Sequence, residues 1–173
     1  MVLTMLTSLK EKLKTIVFND GCESNLPIPP VSTVPDQKLE DENNQFKDIV
    51  FNIIRTIKDP EKPSTLEDLN VVYEEGIQVS RNFDNSVYKV LIEITPTVPH
   101  CSLATLIGLC IVVKLQKNVP PHLRYKLRVM LKKGTHVSEE DFIKQINDKE
   151  RVAAAMEVNE LKAAVSKCIV EDE

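Results

Sequence analysis

The residues best suited to chemistry are His100 and Cys101, which follow one another in the segment 95–102. Two prolines of that segment, Pro96 and Pro99, hold the chain extended just before an apolar stretch that predicts a helix. Cys101 is therefore expected at the N-terminus of this helix, where unpaired backbone N–H groups and the helix dipole stabilise a thiolate. We expect Cys101 to be the most reactive cysteine of the chain, as a nucleophile or as a ligand for a soft metal.

Two histidines are candidates to act with Cys101. His100 could supply a nitrogen ligand or a base, but neighbours in an extended chain point to opposite sides, so joint action would require a bend between them. His136 precedes another predicted helix, and the loops could bring it near the pair to make a transition-metal site, with zinc as a candidate. The residues alone leave two alternatives open: Cys101 as a partly buried structural cysteine, and His136 as an exposed loop residue.

The other three cysteines do not predict a second site. Cys110 lies nine residues beyond Cys101, which on a helix is about 180° around and about 13.5 Å along the axis, so we assign it to the core. Cys22, in a proline-rich stretch, and Cys168, near the C-terminus, are interpreted as incidental. The scattered spacing, without a CxxC pair, excludes an autonomous zinc finger and favours reduced thiols in the cytosol or nucleus.

The composition is typical of a globular protein, with 42% hydrophobic and 28% charged residues in a chain of 173. This length favours one domain. The net charge of -4 argues against nucleic acid as a direct partner, because phosphate binding needs a cationic surface. The longest apolar run, residues 103–113, is shorter than the roughly 20 residues of a membrane span, so no membrane insertion is expected.

The first 45 residues are predicted to form an extension to the folded domain. Residues 2–18 favour an ordinary surface helix over a targeting helix, since they contain lysines but no arginine. Residues 20–45 are rich in proline and then polar, which predicts a disordered linker. From Phe46 onward apolar residues recur with helical spacing, so the domain is assigned to residues 46–173.

Within this domain the sequence patterns predict an α+β fold. After the helix that starts at Phe46, they indicate strands at 71–73, 86–94 and 123–131, a buried crossover helix at 102–117, and helices at 138–156 and 158–169. This order predicts a small mixed β-sheet with helices packed mainly on one face.

The predicted strand 123–131 alternates apolar residues with Arg124, Lys126 and Arg128. One face of the strand would then enter the core, while the other would be cationic. No aromatic residue interleaves with the charges on that face, which argues against a nucleic-acid groove. A solvated surface and a contact for an acidic protein partner remain as the two interpretations.

Several segments of the domain occur together in an order that characterises a known family. They are Arg55-Thr56-Ile57-Lys58-Asp59-Pro60-Glu61-Lys62-Pro63, Thr65-Leu66-Glu67-Asp68-Leu69, the stretch 95–109, Gly134-Thr135-His136, and Asn147-Asp148-Lys149-Glu150-Arg151-Val152-Ala153-Ala154-Ala155-Met156-Glu157. On these residues the chain resembles the cytosolic iron-sulfur assembly component 2 family, whose SufT-like domain it matches over about residues 46–170. Cys110 and Gln145-Ile146-Asn147-Asp148 are similar to its A-type branch. Residues 1–45 match no pattern of the family, and Val158-Asn159 departs from it.

The resemblance implies a non-enzymatic adaptor that binds a WD40-propeller scaffold and promotes delivery of iron-sulfur clusters to apoprotein clients. For the A-type branch the implied client is iron regulatory protein. The functional cysteine of the family corresponds to Cys101, no cofactor is implied to be firmly bound, and a homodimer can form by domain swapping of C-terminal elements. The implied location is the cytoplasm, with the nucleus as a second compartment.

Two alternatives to an adaptor remain open. Cys101, with His100 or His136 as co-ligand, could carry a metal or an iron-sulfur cluster transiently, although four cysteine ligands at suitable spacing are lacking. A cysteine hydrolase would need a base, an orienting group and an oxyanion hole. Since only His100 is a nearby base and no acidic motif indicates a third member, the enzyme is the weaker alternative.

Overall fold

The computed structural model describes residues 37–81, 87–96, 101–134 and 139–170, with the backbone alone at 37, 101 and 102. These ranges contain five α-helices, α1 to α5, and three strands, β1 to β3. In chain order they are α1 (Gln37–Arg55), β1 (Ile77–Ser80), β2 (Val87–Ile94), α2 (Cys101–Asn118), β3 (Arg124–Leu131), α3 (Glu139–Ile146), α4 (Lys149–Glu157) and α5 (Asn159–Ile169). A single 3-10 turn, Glu74–Gly76, precedes β1.

The three strands form one mixed sheet in the order β1-β2-β3. β1 and β2 are antiparallel, with Ile77 opposite Ile92. β2 and β3 are parallel, with Val90 opposite Leu127. Because parallel neighbours need a long crossover connection, α2 lies between them in the chain and returns it to the start of β3. The predicted strand-helix-strand unit and the α+β class are confirmed.

Alternation along β2 and β3 separates the two faces of the sheet. The inner face consists of Tyr88, Val90, Ile92, Ile94, Tyr125, Leu127, Val129 and Leu131, all of them buried. Helix α1 packs its Phe46 against this face, with ring centroids 4.4 Å from Tyr88 and 6.1 Å from Tyr125. Aromatic pairs at these separations add to the apolar burial that holds helix and sheet together.

Helix α1 begins at Gln37, nine residues before the predicted start, so the last part of the predicted linker is helical. The polar composition that suggested disorder is also compatible with a helix whose first turns face solvent, because helix propensity does not require apolar residues. Glu42, in this polar part, forms an ion pair with Arg81 at the end of β1. That contact connects the first half of α1 to the sheet. Residues 1–36, including the predicted helix at 2–18, lie outside the described residues.

The predicted strand at 71–73 is wrong, and the first strand lies at Ile77–Ser80 instead. Val71 and Val72 are buried in a turn, where both backbone N–H groups donate to the carbonyl of Leu66 at 2.9 and 3.2 Å. Burial rather than strand pairing therefore explains this pair of β-branched residues. Gly76 then lets the chain approach β2, since a Cβ there would lie 2.8 Å from the carbonyl oxygen of Glu93.

The single helix predicted at 138–156 is divided into α3 and α4. The carboxylate of Asp148 caps α4 by accepting from the backbone N–H groups of Glu150 and Arg151, at 2.8 and 3.4 Å. Aspartate at an N-cap satisfies amides that a helix start leaves unpaired, so the break is stable. The predicted helix at 158–169 is confirmed as α5.

Candidate functional site

The site is built on the edge of the sheet where the parallel strands β2 and β3 end, here called the carboxyl edge. Ile94, the last residue of β2, lies opposite Leu131, the last residue of β3. The backbone N–H of Lys132 donates to the carbonyl of Ile94 at 2.9 Å. Parallel strands place their following loops at a common edge, which is where α/β sheets bind ligands. The chain therefore leaves β2 after Ile94 and β3 after Leu131 at neighbouring positions.

Cys101 is the first residue of helix α2. This confirms the predicted helix start, and with it the position of Cys101 at the end of the helix where the dipole favours an anion. The side chain of Cys101, and His100 and His136 entirely, lie outside the described residues. Ionisation of the thiol and its joint action with either histidine stay predictions.

A polar cluster, Tyr73, Glu93 and Lys132, lies at the carboxyl edge. The hydroxyl of Tyr73 donates to the carboxylate of Glu93, and Nζ of Lys132 lies 5.5 Å from the centroid of the Tyr73 ring. Burial, followed by the bond to Glu93, raises the pKa of Tyr73 above its usual value, so this phenol stays protonated as a donor. Sequence reasoning missed this cluster, because its members come from three separate segments.

The helix that starts at Cys101 carries Cys110 into the core, where its side chain is fully buried, as predicted. Sequence reasoning did not assign Cys168 to the core, where the structure places it. Cys168 is 4% exposed on α5, and its thiol is hydrogen-bonded to that of Cys110. The signal in the sequence was the helical spacing of Leu161, Val165 and Cys168, which places Cys168 on the inward stripe of α5.

The pKa values of this buried thiol pair move apart. The hydrogen bond to Cys168, followed by burial, raises the pKa of Cys110. The hydrogen bond from Cys110 lowers the pKa of Cys168 to about 7. A thiol that donates to its neighbour stabilises the neighbour's thiolate, so Cys168 is the member that loses its proton first.

Metal ligands do not gather in the part of the chain that the structure describes. Among residues 37–81, 87–96, 101–134 and 139–170, no three His, Cys, Asp or Glu side chains are arranged to hold an ion. The buried thiol pair with neighbouring Asp59 is therefore not a metal site. The candidate ligands His100, Cys101 and His136 fall outside this test.

The outer face of the sheet is open and carries a cluster of positive charge. It consists of Lys89, Leu91, Glu93, Arg124, Lys126, Arg128 and Met130, each exposed or half-buried. Lys89 lies directly opposite Lys126. Like charges in facing positions repel each other in the isolated sheet, and an acidic partner would relieve that repulsion.

No helix in the described ranges has the length and apolar character needed to cross a membrane.

Comparisons with known proteins agree with this architecture. The family model described as "Iron-sulfur cluster assembly protein" matches residues 47–121, from α1 to just before β3. The MIP18 family protein galla-1 of Drosophila melanogaster is 54% identical over 129 residues, which are 75% of this chain and 58% of galla-1. Protein AE7 of Arabidopsis thaliana is 48% identical over 72% of this chain and 75% of its own length.

A mouse relative carries the most specific name. Cytosolic iron-sulfur assembly component 2B of Mus musculus is 50% identical over 120 residues, which are 69% of this chain and 70% of the mouse protein. Identity at this level over most of a domain requires a common fold and ancestry. The chain belongs to the MIP18 family of iron-sulfur cluster assembly proteins.

Proposed function

We propose that this protein is a non-enzymatic adaptor in cytosolic iron-sulfur protein assembly, and that it promotes delivery of clusters to apoprotein clients. The observation that carries the proposal is the start of α2 at Cys101, seven residues beyond the end of β2. A thiol at that place can be ionised and can approach another protein, whereas Cys110 and Cys168 are enclosed by the core. The name of the mouse relative supports the cytosolic assembly pathway.

The proposed partners are a WD40-propeller scaffold and apoprotein clients, iron regulatory protein among them. The client follows from the A-type features at Cys110 and residues 145–148. The cationic outer face of the sheet supports contact with an acidic protein surface, since it is open and faces solvent. We place the protein in the cytoplasm, with the nucleus as a second compartment and with domain-swapped dimers as an additional state.

A transient carrier of metal or cluster is the second candidate function. It is favoured by the neighbouring ends of β2 and β3, since His100 follows the first of these strands in the chain and His136 follows the second. His100, Cys101 and His136 would be the ligands, and zinc or an iron-sulfur cluster the metal species held. The family model and the mouse relative are both named for iron-sulfur assembly, which supports an adaptor over an enzyme.

Replacement of Cys101 tests the adaptor. Cys101→Ala is expected to leave the circular dichroism spectrum and melting temperature unchanged, because the residue is at a helix start, and to reduce incorporation of radioactive iron into the client in cells to background. Cys22→Ala is the matched control and is expected to preserve incorporation. Normal client maturation with Cys101→Ala would overturn the proposal.

Metal analysis after anaerobic purification distinguishes the adaptor hypothesis from the carrier hypothesis. Iron, zinc and sulfide analysis of the purified full chain is expected to give amounts far below one per chain for an adaptor. Stoichiometric metal that disappears in Cys101→Ala and in His136→Ala would establish the carrier instead. Recovery of a WD40-propeller protein with the tagged chain from cells tests the proposed scaffold.

A further inference from the structure

The proposed function leaves the buried thiols of Cys110 and Cys168 without a role. They come from different helices, Cys110 from α2 and Cys168 from α5, which pack against each other in the core. Both are free thiols, 0% and 4% exposed, and their side chains are hydrogen-bonded to one another. A disulfide between them would bring the two sulfur atoms to roughly 2.05 Å, and the packing of α2 against α5 brings the two helices that carry them together.

The second observation is the position of Cys168 near the end of helix α5. Cys168 is the penultimate residue of α5, and Val170, the residue after the helix, is 58% exposed. The backbone carbonyl of Cys168 accepts from the N–H of Lys58 at 2.9 Å. Terminal helical turns open more easily than the centres of helices, so a small oxidant can reach this thiol without global unfolding.

A third observation concerns Asp59, which is 6% exposed and lies near enough to both thiols to act on their charge. Its Oδ1 accepts from the backbone N–H groups of Glu61 and Lys62 at 2.8 and 2.9 Å, while Oδ2 is buried without a hydrogen-bond partner. The carboxylate opposes negative charge on either sulfur. An uncharged product, such as a disulfide, would remove this repulsion. A thiolate that accumulated at the same place would keep it.

We propose that Cys110 and Cys168 form an intramolecular disulfide on exposure to hydrogen peroxide, so that the pair is a reversible oxidation site which fastens α5 to α2. The inference concerns thiols other than Cys101 and does not depend on the role of this protein in cluster assembly.

The reaction balances with one peroxide per disulfide. The Cys168 thiolate attacks one peroxide oxygen, the O–O bond breaks, and the leaving hydroxide takes a proton to become water. Cys110 then loses its proton and attacks the sulfur of the Cys168 sulfenic acid, which releases a second water as the S–S bond forms. Two thiols have lost two electrons and two protons, and peroxide has been reduced to two waters. Cys168 is assigned the first step because the hydrogen bond from Cys110 lowers its pKa to about 7.

Peptide mapping of the full chain tests the disulfide. Trypsin leaves Cys101 and Cys110 together in peptide 90–114, so the experiment uses Cys101→Ser with Cys22→Ser, and Cys168 is then recovered in peptide 168–173. After peroxide treatment and alkylation in denaturant, mass spectrometry is expected to find these two peptides linked, with the loss of two hydrogens, and separated by dithiothreitol. Adding Cys110→Ser or Cys168→Ser is expected to abolish the link.

Two further measurements test the geometry and the order of the steps. The oxidised chain is expected to melt about 5 °C higher than the reduced chain, because the cross-link restricts the unfolded state. The rate of disulfide formation is expected to rise as pH increases through 7, because the thiolate fraction of Cys168 increases. Both thiols still alkylated after peroxide, or sulfinic acid at Cys168 without a link, would overturn the proposal. A link without a rise in melting temperature would overturn the fastening of α5.

Discussion

The two faces of the sheet are made from the same strands but have opposite surroundings. Along β3, Val129 is fully buried under the helices while Arg128, its neighbour in the chain, is exposed. Along β2, Ile92 and Lys89 differ in the same way. A period of two residues thus places the hydrophobic core on one side and a cationic surface on the other. A substitution on the inner face should change stability, and one on the outer face should change association.

The same separation applies to the thiols of this protein. Cys110 and Cys168 lie in the interior, where their hydrogen bond and Asp59 determine their chemistry. Cys101 is the first residue of α2, seven residues beyond the end of β2. One helix thus carries a cysteine at its start, for which we propose contact with partners, and a cysteine protected from solvent in its middle.

An aspartate placed on the inner face of β3 is expected to have the largest effect on stability. Val129→Asp places a carboxylate among buried apolar side chains with no partner, which is expected to cost about 4 kcal/mol or more of the free energy of unfolding. Arg128→Asp, one residue away on the exposed face, is expected to change it by less than about 0.5 kcal/mol. Urea denaturation followed by circular dichroism measures both. Equal losses would contradict the assignment of the two faces.

Loss of the side chain that pairs with the edge of β3 is expected to have an intermediate effect on stability. The amide side chain of Asn147 accepts from the backbone N–H of Val129 at 2.8 Å and donates to its carbonyl at 2.9 Å, so it pairs with this edge strand as another strand would. Asn147→Ala leaves both backbone groups unpaired and is expected to cost about 2 kcal/mol. Asn118→Ala, at the exposed end of α2, is the control. A cost below about 0.5 kcal/mol for Asn147→Ala would show that this pairing adds little.

Charge reversal on the outer face is expected to have the smallest effect on stability but a measurable effect on association with a partner. Arg124→Glu with Arg128→Glu is expected to weaken binding to the proposed WD40 scaffold about tenfold at low salt, and less at high salt, because charge complementarity is screened by ions. Lys133→Glu, exposed beyond the end of β3, is the matched control and is expected to bind normally. Calorimetric titration at two salt concentrations measures the affinities. Unchanged affinity in the double variant would exclude the outer face as the contact.

Much of the fold could be predicted from local patterns. Alternation defined β2 and β3, the continuous apolar stretch after Cys101 defined α2, and helical spacing defined α5, because a period of two or 3.6 residues records which side of an element is buried. Val71 and Val72 misled this reasoning, since β-branched residues also suit a buried turn. The break before α4 was missed because it accompanies a tertiary contact, the bonding of the Asn147 side chain to β3.

The sequence by itself determined the α+β class, the crossover unit, the position of Cys101 at the start of a helix and the family to which the chain belongs. Each of these depends on neighbours in the chain or on an ordered set of motifs. Only the tertiary structure decided that Cys168 meets Cys110, that Asp59 lies near this pair, and that Tyr73, Glu93 and Lys132 gather at the carboxyl edge. These contacts join residues far apart in the chain, and their distances are fixed by how helices and strands pack, which no local periodicity records.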